Sequence, residues 1–94
     1  MPNPLINQIK LAIRRTGAIQ KSSSTVSSNI SSGFKKETGG QDYKVFYGAN
    51  MRSKIASLGA NFGVETALLV DFVVAARDLD PAAKDEMLDE ILSS

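Results

Sequence analysis

A mainly helical fold with one short strand is what this sequence predicts. Three observations carry the expectation. Apolar residues recur at helical spacing in four separate segments. One segment, Asp42–Tyr47, is rich in aromatic and β-branched side chains and lies between glycines. The chain has neither cysteine nor histidine with which to staple a less regular structure. Ninety-four residues make one domain at most, and a chain this short buries a smaller fraction of its surface than a larger protein does. With no disulfide and no zinc site to help, extra burial is expected from a second copy or a partner.

Asn3-Pro4 followed by Leu5, Ile6, Ile9, Ala12 and Ile13 reads as a cap, a first-turn proline and an apolar stripe, with Gly17 as the stop. Lys10, Arg14 and Arg15 fall towards the end of this helix, where cations suit its dipole. The helix either docks on the core or folds on a partner. A membrane-surface role is disfavoured by an apolar face without Trp or Phe. Seven of the eleven residues from Ser22 to Ser32 are serine, and Gly33, Gly39 and Gly40 follow. That composition is expected to give a flexible linker carrying Lys35 and Lys36, although Val26, Ile30 and Phe34 at spacing four leave a weak helix open.

Asp42 to Tyr47 reads as a strand bounded by Gly40 and Gly48. A lone strand has no backbone partner in its own chain, so it is expected to pair with another molecule. Met51, Ile55, Leu58 and Phe62 then form one stripe on a helix over about 49–62, which Gly63 breaks. From Thr66 to Leu79 the chain is apolar on nearly every face, more than a small monomer easily buries. Asp80-Pro81 caps a last helix to about Leu92, with Ala83, Met87, Leu88, Ile91 and Leu92 on one side. Asp85, Glu86, Asp89 and Glu90 occupy its other side, either simply solvated or docking a protein partner.

Charge is segregated along the chain. Residues 1–54 carry nine basic and two acidic side chains, a net of +7, while residues 55–94 carry two basic and eight acidic, a net of −6. A basic half suggests contact with a polyanion, and the plain alternative is that the charges keep a small domain soluble. Without His or Cys there is no usual general base, thiol nucleophile or transition-metal ligand set, so no enzyme, cofactor or metal is expected. No run approaches the roughly 20 apolar residues of a membrane span, and Asn7, Gln8 and Lys10 interrupt Leu5–Ile13 as a signal core. The expectation is a cytoplasmic protein with no membrane partner.

The order of strand, helix, glycine-broken turn and very apolar helix over residues 43–79 resembles the ribbon-helix-helix family of DNA-binding dimers. Tyr43, Val45 and Tyr47 fall where that family places inward strand residues. Met51, Ile55 and Leu58 match its first helix, Gly63 its turn, and Leu69-Val70 the opening of its second helix. The family has no sharp motif. The resemblance implies an intertwined homodimer with a core of Val45, Tyr47, Met51, Ile55, Leu58, Leu69, Val70, Phe72 and Val73. It also implies an antiparallel ribbon in the major groove of double-stranded DNA. Asp42, Lys44 and Phe46 would then face base edges. Lys44 is otherwise a solvated charge, and Phe46 a core residue if the register slips by one. Lys35, Lys36, Arg52, Lys54, Thr66, Arg14 and Arg15 would contact phosphate, although Glu65 sits in the turn where the family clamps a phosphate on backbone N–H groups.

These readings divide the chain into a basic extension, residues 1–40, and a ribbon-helix-helix domain with an added C-terminal helix, residues 41–94. The implied roles are transcriptional repressor, plasmid partition or relaxosome accessory protein. The rival is an all-helical protein-interaction module, such as a small chaperone, adaptor or antitoxin-like protein, without DNA binding. The segment Tyr43–Tyr47 discriminates them: a paired ribbon supports DNA, and a helix or loop supports the rival.

Overall fold

Val26, Ile30 and Phe34 decide the conformation of the serine-rich segment. Spacing of four puts all three on one helix face, and burying each stabilises the fold by about 1.5–3 kcal/mol. Serine gives up only about 0.5 kcal/mol per residue in a helix relative to alanine, so the apolar face prevails. The computed structural model describes residues 4–13 and 21–93, which form α1 (Pro4–Ala12), α2 (Ser23–Glu37), α3 (Tyr43–Phe46), α4 (Ala49–Ala60), α5 (Thr66–Ala75) and α6 (Pro81–Leu92). The stretch expected as a linker is therefore α2, the longest of these helices.

Ser22 caps α2: its Oγ accepts the Thr25 N–H at 3.1 Å. At the other end Gly39 takes φ 73°, and the Gly40 N–H reaches back to the Lys35 carbonyl at 2.8 Å. This is the 6→1 closure of a Schellman turn, which needs a residue tolerant of left-handed backbone. Against α2 pack α4 and α5, and the two crossings are close because of glycine. A Cβ at Gly33 would lie 2.7 Å from Val70, and one at Gly59 would lie 2.6 Å from Val26.

No strand occurs among the described residues, which overturns the mainly helical fold with a ribbon strand and, with it, the ribbon-helix-helix architecture. Asp42–Tyr47 is instead capped by the Asp42 carboxylate, which accepts the Lys44 N–H at 3.0 Å, and turns once as α3. The Val45 and Tyr47 N–H groups bond the carbonyls of Asp42 and Tyr43, each at 3.1 Å, so these backbone groups find partners locally. The physical reason lies in Tyr43 and Tyr47. Residues four apart share a face in a helix as they do in a strand, and only the residue between them distinguishes the two. Both tyrosines are buried against Phe34, with ring centroids 5.7 and 6.5 Å away, while Val45 turns outward and is 77% exposed.

The apolar helix α5 finds its burial inside one chain, between α1, α2 and α4. Leu69, Val70, Phe72 and Val73 are all buried there. Ile6 and Ile9 dock α1 on α5 and α6. Asp80 caps α6 through the Ala83 N–H at 2.8 Å, Pro81 opens its first turn, and Leu88 and Ile91 enter the core beside Lys84. Both arguments for a twofold partner, the orphan strand and the over-apolar helix, are thus met within one chain. Among the described residues, no helix is long and apolar enough to cross a membrane.

Candidate functional site

The cations separate into those used inside the molecule and those left facing out. Lys54 on α4 bonds Asp85 at 3.0 Å and Asp89 at 2.8 Å, while Lys10 on α1 bonds Glu90 at 2.9 Å. The acidic face of α6 is therefore largely an internal counter-charge for the basic half. Hydrogen bonds that Lys54 donates to Asp89 and then to Asp85 hold its ammonium above the usual pKa. Pairs this exposed contribute little to stability, because solvent screens them.

Arg52 Nη1 donates to the Tyr47 carbonyl at 2.6 Å, and Arg77 Nη1 to the Val74 carbonyl at 3.1 Å. Lys84 is only 4% exposed; its Nζ donates to the Phe46 carbonyl at 2.6 Å and lies 4.6 Å from the Tyr47 ring centroid. Burial pushes its pKa down, with Asp78 and Asp80 opposing the shift. Sequence reasoning missed this residue, although its spacing of four from Leu88 and seven from Ile91 places it on the apolar face of α6. Burial likewise pushes the Tyr43 and Tyr47 hydroxyls up. The Tyr47 hydroxyl donates to the Val73 carbonyl at 2.7 Å, whereas the Tyr43 hydroxyl has no hydrogen-bond partner among the described residues.

Lys21, Lys35, Lys36 and Lys44 are exposed, and their ammonium groups have no partner among the described residues. Lys35 and Lys44 line one cleft of about 330 Å³ between the last turn of α2 and the start of α3, together with Ser31, Gln41, Asp42 and Tyr43. Lys36 and Glu37 complete the last turn of α2. The cleft lies where two tight turns meet, the glycine closure of α2 and the Asp42 cap of α3.

The residues expected at DNA divide accordingly. Lys44, Asp42, Lys35 and Lys36 gather at this corner, with Asp42 engaged as the cap of α3. Phe46 is half-buried, its ring 5.6 Å from Phe34. Arg52 and Lys54 have internal partners, and Thr66 opens α5 half-buried on a different part of the molecule. Arg14 and Arg15 lie outside the described residues. Of the residues expected in a dimer core, Tyr47, Met51, Ile55, Leu58, Leu69, Val70, Phe72 and Val73 are buried within this chain, and Val45 faces solvent.

No group of three or more acidic side chains is placed to hold a metal ion among the described residues. Comparison with known protein families, curated proteins and solved structures gives no match.

Proposed function

We propose that this chain is an all-helical protein-interaction module, without catalytic activity, whose binding surface is the corner between α2 and α3. The observation that carries the reading is the outward turn of Lys44 and Val45 on α3, beside a cleft whose other lysine, Lys35, is also uncommitted. A single exposed valine is ordinary on a protein surface. Here it sits next to a polar cleft, on a one-turn helix fixed from beneath by three aromatic contacts to Phe34. Burying such a valine on binding contributes about 1.5 kcal/mol or more. Rigid presentation limits the ordering cost of binding.

Duplex DNA suits the corner less well. Nonspecific duplex affinity grows with the number of phosphates neutralised, and here Glu37 and Asp42 are interspersed with Lys35, Lys36 and Lys44. The internal pairing of Lys10 and Lys54 further shortens the supply of free cations.

The test is site-specific photo-crosslinking in cells of the organism of origin, with the reactive amino acid at Val45 and, as a control on another helix, at exposed Asp71. Discrete, nuclease-resistant protein adducts from position 45 and not from 71 are expected. Adducts to DNA, or the same weak smear from both positions, would overturn the reading.

A further inference from the structure

We infer that the cleft between α2 and α3 receives a carboxylate-bearing segment, an acidic peptide of the partner, with Lys35 and Lys44 as its counter-charges. This inference rests on the reading of the corner as a partner-binding surface and names the chemistry of what binds there. The two lysines come from different elements and line the same cavity. Each carries three donors at the far end of a flexible stem, well suited to a carboxylate approaching from several directions.

Placement of Lys35 in the last turn of α2 also suits the dipole of that helix. That role needs neither a cleft nor a second lysine across it. Two of the last carbonyls of α2 are satisfied without the ammonium: the Thr38 hydroxyl donates to the Phe34 carbonyl at 2.6 Å and the Gly40 N–H to the Lys35 carbonyl. Asp42, the acid in the cleft, already accepts the Lys44 N–H. Ser31, one turn before Lys35, adds a hydroxyl, and Gln41 adds an amide.

Size limits the occupant. At about 330 Å³ the cleft lies at the low end of ligand pockets, with room for one or two side chains and not for the groove edge of a duplex. Glu37 stands on the same last turn of α2 and repels acids that approach from its side. Val45 offers an apolar contact beside Lys44. The expected segment therefore carries two or so acidic residues next to an apolar one.

A random peptide library displayed on phage, panned against the folded chain, tests this directly. Peptides enriched on the wild type are expected to be acidic with an apolar neighbour. The same panning on the Lys35→Glu/Lys44→Glu chain is expected to enrich basic peptides instead. A synthetic acidic peptide from the wild-type selection should bind the milder Lys35→Gln/Lys44→Gln chain roughly ten-fold more weakly, the scale of two exposed charge pairs lost together. Its amide shift changes should centre on Ser31, Lys35 and residues 40–44. Circular dichroism establishes that each variant is folded.

Enriched peptides with no acidic bias, or acidic peptides bound equally by the glutamine variant, would overturn the inference. Displacement of the peptide by duplex DNA at equal concentration would do the same. So would self-association that disappears on charge reversal, which would make a second copy the occupant. Selected peptides that depend on Val45 but carry no acids would sink this inference while leaving the interaction module standing. Failure of the module itself would appear as no enrichment together with a silent crosslinker at position 45.

Discussion

Alanine at Gly59 probes the seam between α2 and α4. Its Cβ would lie 2.6 Å from Val26 Cγ1, 3.2 Å from Val26 Cγ2 and 3.3 Å from Leu69 Cδ1. Non-bonded carbons settle at about 3.5–4.0 Å, so the tightest contact must open by roughly 1 Å. Neither neighbour can retreat easily. Both are buried, and Val26, β-branched within a helix, has one strongly preferred rotamer. Overpacking of this kind costs about 1–3 kcal/mol, offset by up to about 1 kcal/mol of helix propensity gained on replacing glycine. A net loss of about 1–2 kcal/mol follows, or a fall in Tm of roughly 5–15 °C for a chain of this length. Val26→Ala alone should also destabilise, by leaving a cavity. Combined with Gly59→Ala it removes both methyls that obstruct the new Cβ, so the double variant should be more stable than the sum of the single effects by about 1 kcal/mol. Urea unfolding followed by circular dichroism measures all four corners of this cycle. A Gly59→Ala chain as stable as the parent, or strict additivity, would refute the close crossing.

The two buried tyrosines should respond oppositely to loss of their hydroxyls. Tyr47→Phe removes a donor from the Val73 carbonyl and should cost about 1 kcal/mol, whereas Tyr43→Phe removes an unpartnered buried hydroxyl and should be neutral or stabilising by about 1 kcal/mol, both read from urea midpoints. Alkaline pH should weaken the fold from about pH 10 upward, because the raised tyrosine values let the unfolded chain release those protons first. Lys84 runs the other way: its folded pKa lies below the ordinary 10.5, so the unfolded chain binds the proton more tightly, and stability should rise with pH through the window below 10.5. Subtracting the Lys84→Met profile from the wild-type profile cancels the tyrosines, and a difference that is flat or falls with pH would contradict a buried lysine.

Much of this fold was legible because four helices announce themselves by period and punctuation. Asp80-Pro81 and the apolar positions Leu88 and Ile91 locate α6 residue by residue. Met51, Ile55 and Leu58 do the same for α4, which stops two residues before the expected end at Phe62. Two segments misled for different reasons. In α2 serine content outweighed the spacing of Val26, Ile30 and Phe34, though three buried anchors supply more free energy than the six serines within the helix remove. In α3 the two tyrosines satisfy both periods, and only tertiary packing turns Val45 out. The corner site is legible only in its parts: Lys44 and Asp42 read as ribbon residues at base edges, and Lys35 and Lys36 as linker cations at phosphate, so nothing local joins them. Which cations stay free depends on pairs such as Lys54 with Asp89, thirty-five positions apart in sequence, and no local pattern encodes these.

The docking of α1 against α6, pinned by Lys10 and Glu90, has a consequence for connectivity. The first and last described helices are neighbours, so contacts run from α1 to α5, α2, α4 and α6 and back to α1. A surface turn free of core residues, such as residues 39–41, can be opened without cutting any of those contacts. Order of synthesis and order in space are therefore separable here. The five longer helices cohere as a closed circuit in which α2 is joined to α4 and α5, and a break at a surface turn removes no layer of that core.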